Sequence, residues 1–211
     1  MRAVEVRCAA CSPDAQFVVC ATSTALVGYD WKAGRVAFEA SASIRTLAYH
    51  PTESLELATS GAGLKLWRLL HKNLKARPPV EALGDKDFST HAWLPNELLV
   101  AGTTGGSVVV VQRNEMTQRF DAKHTGSVQA IVPLEGSFAA VCEDAVACVF
   151  VQAEKAKKTV SLSRRVVLEG LRGLYAMAAF PRSTATLACC RDGLAFFDVA
   201  DLLLVTTGPD L

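Results

Sequence analysis

Cysteine, glycine and lysine clusters are where this chain could do chemistry. Cys8 and Cys11 form a Cys-x-x-Cys spacing, which suits a zinc knuckle or a redox pair. A knuckle needs a turn that carries both thiolates to one side. The surrounding VRCAAC reads as a strand, where positions three apart face opposite ways, and no second Cys-x-x-Cys follows. Buried structural thiols are the better reading, and Cys142, Cys148 and Cys189-Cys190 read likewise as small apolar residues of packed strands. Gly61-Ala62-Gly63 and Gly105-Gly106 have the look of phosphate loops, yet neither runs into a helix with a suitably spaced lysine, so both are expected to be hairpin turns. Lys155, Lys157, Lys158, Arg164 and Arg165 could touch an acidic surface such as tubulin; a solvated turn and outer strand is the plainer reading. His71 with Trp67 could join an interaction patch, on little signal.

The elements that must position these groups are short strands. Thr90 to Val111, THAWLPNELLVAGTTGGSVVVV, reads as three of them: Thr90–Leu94, Leu98–Gly102 and Ser107–Val111. Pro95-Asn96 breaks the first from the second, because proline cannot donate to a ladder. Gly105-Gly106 turns the second back into the third by supplying positive φ. Val108 to Val111 do not alternate with polar residues, which marks a strand covered on both faces. The pattern recurs with prolines after apolar strands at Pro13, Pro51, Pro95, Pro133 and Pro181. Its period of roughly 40 residues is that of four-stranded propeller blades.

The expectation is an all-β chain, a β-propeller of four-stranded antiparallel blades. About five blades fall near residues 4–40, 41–87, 88–123, 124–170 and 171–208. The first shows all four strands, at Val6–Cys11, Phe17–Thr22, Ala25–Asp30 and Arg35–Ala40. In the second, the fourth strand is poorly marked, and His71 to Asp87, with Pro78, Pro79 and Gly84, is expected to be largely loop. Alanine-rich Arg172–Phe180 has helical propensity but is short and bracketed by Gly173 and Pro181, so it is read as strand.

Half of the 211 residues are hydrophobic, a globular, core-rich composition. With 22 basic and 21 acidic residues the formal net charge is +1, which argues against a dedicated nucleic-acid binder. No apolar run is long enough to span a bilayer. The N-terminal sequence lacks an apolar signal core, so secretion is not expected. Seven cysteines, an odd number without a disulfide framework, suit a reduced intracellular compartment.

The spacing resembles the WD-repeat propeller family. Trp67 in LKLWR stands where that family ends its third strand in tryptophan. Asp30 and Asp198 take the place of its following aspartate, with Tyr29 and Phe197 at the tryptophan position. In KHTGSV, His124 stands at the family's Gly-His site, with Lys123 replacing glycine; Asp144 and Asp192 sit in turns between second and third strands. The other blades lack that aspartate. A closer similarity, covering most of the chain, is to the N-terminal propellers of cilia- and flagella-associated protein fifty-seven and its axonemal siblings. It is carried by LAYHPTESLELATSGAGLKLWRL and by His91, Trp93, Val100, Gly102, Thr103 and Gly106. The second propeller and long coiled coil of that family have no counterpart here.

The resemblance implies a non-enzymatic scaffold of the motile cilium or flagellum. It would position dynein-associated or regulatory complexes on doublet microtubules, with other axonemal proteins, and tubulin, as partners. It also implies that His124 and Asp144 lie close, tying an entry loop to an inner turn; the alternative, a catalytic His–Asp pair, lacks a nucleophile beside it. Trp67, Asp30 and Asp192 are expected to be structural in the same sense. No cofactor or metal is expected. The competing reading is a generic cytoplasmic WD-repeat adaptor in a transport or ubiquitin-ligase complex. An enzyme would need convergent carboxylates or histidines, and the inner turns offer Asp144 and Asp192 alone. Since an open arc would expose apolar end faces, the chain is expected to be part of a larger propeller, its remaining blades supplied by more chain or by another polypeptide, and to be poorly soluble alone.

Overall fold

A computed structural model describes residues 5–70, 73–78, 80, 87–94, 97–121, 126–134, 136–152, 159–168, 174–179, 185–190, 193–198 and 203–207. These residues contain twenty strands in five four-stranded sheets, each a simple meander. The first sheet comprises β1 (Cys8–Cys11), β2 (Phe17–Ala21), β3 (Ala25–Asp30) and β4 (Arg35–Ser41). The second comprises β5 (Ile44–Tyr49), β6 (Glu56–Gly61), β7 (Lys65–Leu70) and β8 (Asn73–Ala76). The third comprises β9 (Phe88–Trp93), β10 (Leu99–Thr103), β11 (Val108–Gln112) and β12 (Glu115–Phe120). The fourth comprises β13 (Val128–Leu134), β14 (Ser137–Cys142), β15 (Val146–Gln152) and β16 (Val160–Val167). The fifth comprises β17 (Leu174–Ala179), β18 (Ala185–Cys190), β19 (Gly193–Asp198) and β20 (Leu203–Thr207). Pairing in the first, second, fourth and fifth sheets is antiparallel throughout.

The chain folds into two compact units, Met1–Ala101 with Val111–Met116, and Gly102–Val110 with Thr117–Leu211. In the first unit, alternating residues of β2 and β3 bury Phe17, Val19, Ala21 and Leu26 against Ile44, Leu47, Leu57 and Leu69 of the second sheet. Phe38 of β4 joins this core by lying across Gly28, its cross-strand partner. A Cβ on Gly28 would stand 2.1 Å from the Phe38 ring, so only glycine admits it. The opposite face of the first sheet leaves Tyr29 and Val36, a cross-strand pair, exposed.

The second unit is packed with small side chains. Ala130, Ala139, Ala145, Ala147 and Ala195 pack with Val141, Val149 and Leu168. A separate aromatic layer stacks Phe138 on Phe150 at 4.7 Å and 10°, with Phe120 5.0 Å from Phe150. Gly102 plays the part in this unit that Gly28 plays in the first, since a Cβ there would fall 2.4 Å from Val128.

Several expectations meet the structure directly. Val108 to Val111 are buried throughout. The alanine-rich segment is the strand β17. The poorly marked fourth strand of the second sheet is the short β8, which pairs Leu74 with Leu69 and Lys75 with Arg68, and Arg77 N–H continues to Leu66 O. One expectation is corrected. Pro133 does not follow its strand but lies within β13, opposite Phe138, on the first strand of its sheet where a missing donor is tolerated.

Candidate interaction surface

Within the first unit, the turns that follow the first strand of each sheet emerge at one end. Thr46 Oγ1 is 2.8 Å from His91 Nδ1, and the His50 ring lies 4.6 Å from Trp93. Both pairs advance along β5 and β9 together, so the chain leaves β5 at His50 and β9 at Leu94 on the same side. Ser54, in the turn after β5, lies close enough to Asp14, in the turn after β1, to help lower its carboxyl, so the first two turns are neighbours.

These turns are internally braced. Ser12 Oγ accepts Gln16 N–H at 3.1 Å and Phe17 N–H at 2.9 Å, and donates to Asp14 Oδ1 at 2.6 Å. Ser12 and Gln16 together hold the Asp14 carboxyl below the usual carboxylate range. Asp30 Oδ1 caps the next turn through Ala33 N–H at 2.9 Å, which likewise lowers its carboxyl. Gln16 Nε2 reaches Asp30 Oδ2 at 3.4 Å. Trp31 Nε1 donates to the Ala15 carbonyl, which fixes the indole against the first turn while 54% of the residue stays exposed. His50 Nδ1 accepts Glu53 N–H at 3.1 Å and closes the second turn beneath Leu55, itself 46% exposed. Leu69 N–H bonds Leu55 O, carrying the apolar surface on toward exposed Leu70.

The charge on this end is sorted. Segments 12–16, 50–56 and 94–98 contain no lysine or arginine, and Asp14, Glu53 and Glu97 in them are exposed. Glu56 is engaged by Arg77 and, at 3.7 Å, by Arg68. The turns between third and fourth strands instead carry exposed Lys32, Arg35 and Arg113. A carboxylate set thus lies nearest the first strands, with cations farther out.

The residues singled out in the sequence lie as follows. Trp67 is buried and donates from Nε1 to Thr59 Oγ1 at 2.8 Å. Asp30 caps its turn as described. Asp144 Oδ1 accepts Val146 N–H at 3.2 Å in the turn between β14 and β15. His124 and Asp192 lie outside the described residues, so the proposed His124–Asp144 tie does too, as do Lys155, Lys157 and Lys158. Cys142 and Cys148 are buried, and burial pushes the Cys142 thiol up to about 12. Cys8 and Cys11 alternate on β1 as expected, but they are not buried: Cys8 is half-buried and Cys11 exposed, because the first strand of this sheet is incompletely covered.

Sequence reasoning missed two features. One is the hydroxyl–imidazole cluster: Thr46 Oγ1 sits 2.5 Å from Ser60 Oγ as well as next to His91. His91 is 7% exposed, and burial depresses its imidazole to about 4, with the Ala58 backbone only partly offsetting this. His91 Nε2 and Trp93 Nε1, two positions apart on β9, meet no protein partner among the described residues. The other is Trp31, between the strands Ala25–Asp30 and Arg35–Ala40; an indole that a turn there does not require is the available signal.

No family model and no curated protein matches this chain. Among solved structures, the beta-propeller domain of Cps50 (Swd1) from Myceliophteria thermophila superposes with a TM-score of 0.81. The identity is 14%, over 100% of this chain and 75% of that one. The fold is a β-propeller of four-stranded blades. Each described sheet is one blade, and the braced turns of the first unit lie at one end of its blades.

Proposed function

We propose that this chain is a non-enzymatic protein-interaction scaffold and that it serves on the motile axoneme, positioning dynein-associated or regulatory complexes. The scaffold part is supported by one observation above all: the indole of Trp31 is tethered at its polar end and presented to solvent on a rigid rim. Tryptophan is over-represented among residues that dominate binding energy, and prior ordering lowers the entropy lost on association. Among the described residues, Asp30 and Asp144 cap turns and His91 binds Thr46, so these groups serve the framework.

The axonemal part is supported by the sequence resemblance. Its carriers are framework residues: His91 and Trp93 join two sheets, Gly102 lies against Val128, and Thr103 with Gly106 closes a turn. Partner choice therefore resides in the variable turns rather than in those positions. The test is to tag the endogenous protein, extract cells with detergent and cross-link what remains. Retention on axonemes with cross-links to dynein-associated complexes is expected. Release with the cytosol would replace this reading with the general adaptor.

A further inference from the structure

We propose that the rim formed by Trp31, Leu55 and Leu70, with Asp14, Asp30 and Glu53, docks a partner segment in which an arginine or lysine adjoins an aliphatic residue. The inference rests on the scaffold reading and names the chemistry of what it binds.

Contiguity comes first. The Trp31 indole is bonded to Ala15 O, Ser54 of the second blade lies near the adjoining Asp14, and Leu55 O accepts Leu69 N–H. Three exposed apolar side chains thus sit on neighbouring turns of the first two blades, with Asp14 and Ser54 between them. Single exposed apolar residues are ordinary; a tethered indole on the turn next to one that carries exposed leucine offers separate footholds for neighbouring side chains of one segment.

Charge then selects the occupant. Asp14 and Asp30 flank the indole through Gln16, which bonds both carboxylates, and hydrogen bonding keeps both ionised. Glu53 and Glu97 continue the same sign along turns that hold no cation. Lys32 and Arg35 share the turn of Asp30 and Trp31, and Arg35 acts on Asp30, so the carboxylate surplus that attracts a basic residue lies on the Asp14 and Glu53 side of the indole. A guanidinium there can stack on the indole face and fork to a carboxylate, while an adjoining aliphatic side chain covers Leu55. An acidic segment would meet like charge at every inner turn.

The 211-residue chain would be titrated with three labelled Gly-Ser peptides, bearing Arg-Leu-Arg, Glu-Leu-Glu or Arg-Ser-Arg triplets, and read by anisotropy and by indole fluorescence. The Arg-Leu-Arg peptide is expected to bind saturably, to weaken as salt rises, and to bind at least about tenfold more tightly than the other two. Trp31→Ser, and separately Glu53→Gln with Asp14→Asn, should each weaken it about tenfold, whereas Glu39→Gln on β4 should not. Glu53→Gln alone, which touches no described hydrogen bond of its side chain, guards against an unfolded Asp14 variant. Equal binding of all three peptides, indifference to the rim substitutions, or preference for the acidic peptide would each overturn the inference. If cross-linking finds partners on another surface, the scaffold reading stands and this one falls.

Discussion

The carboxamide of Gln118 is bonded to both backbone groups of Val160: Nε2 donates to Val160 O at 2.9 Å, and Oε1 accepts Val160 N–H at 2.7 Å. Gln118 belongs to β12 and Val160 opens β16, so a side chain supplies, between two outer strands, what a neighbouring backbone would supply within a sheet. Val160 is buried, and its peptide groups have no ready alternative in water.

Gln118→Ala is therefore expected to destabilise the protein by about 1–3 kcal/mol. Gln118→Glu should lose more at pH 7, where its carboxylate faces the Val160 carbonyl, than at pH 4.5, where a protonated carboxyl can donate again. Urea midpoints, each compared with the unmodified chain at the same pH, check both.

His91 predicts a pH dependence. Its folded imidazole titrates near 4, below the ordinary value of 6.5, because it is buried. Between those values the unfolded chain binds the extra proton, so stability rises with pH across the window. It is complete above about pH 6.5 and lost as pH falls toward 4, by up to about 3 kcal/mol. His91→Asn keeps a partner for Thr46 without a titrating ring and should flatten the slope of urea midpoint against pH. Of the two neutral tautomers, the one donating from Nδ1 to Thr46 leaves only a bare lone pair at Nε2, which is less costly than a buried N–H.

Trp67 and Thr59 form a pair whose halves depend on each other. Trp67→Phe should cost about 1–3 kcal/mol through the lost bond and the volume left behind. Adding Thr59→Val removes the stranded hydroxyl, so the double variant should be more stable than the sum of the single losses allows. A double-mutant cycle in urea measures the difference.

Gly28→Ala forces the Phe38 ring out of the core and is expected to cost about 1–3 kcal/mol. Phe38→Leu in the same chain should recover part of that loss, because the shorter side chain vacates the contact; thermal unfolding of the three proteins decides it.

Most of the blade plan was legible because glycine and proline punctuate apolar runs at a steady interval. Ala25–Asp30 has the ends the residues suggest. The strand β8 was not legible: Asn73–Ala76 contains no β-branched residue and is held by its pairing with β7 rather than by propensity. The Trp67–Thr59 bond spans eight residues across one hairpin and could be anticipated from strand pairing. Thr46 and His91 stand 45 residues apart on different sheets, and no local pattern reports such a meeting. Trp31 was visible but unread, since a turn explains its neighbours and leaves the indole over.

The alanine-lined interior of the second unit carries an asymmetry in what mutation can do to it. Trimming Ala139, Ala140 or Ala147, each fully shielded, removes a single methyl, whereas enlarging any of them drives atoms into an opposing sheet. Glycine should be tolerated at these positions better than any larger residue, and valine and leucine least. This half of the molecule is vulnerable to growth rather than to erosion.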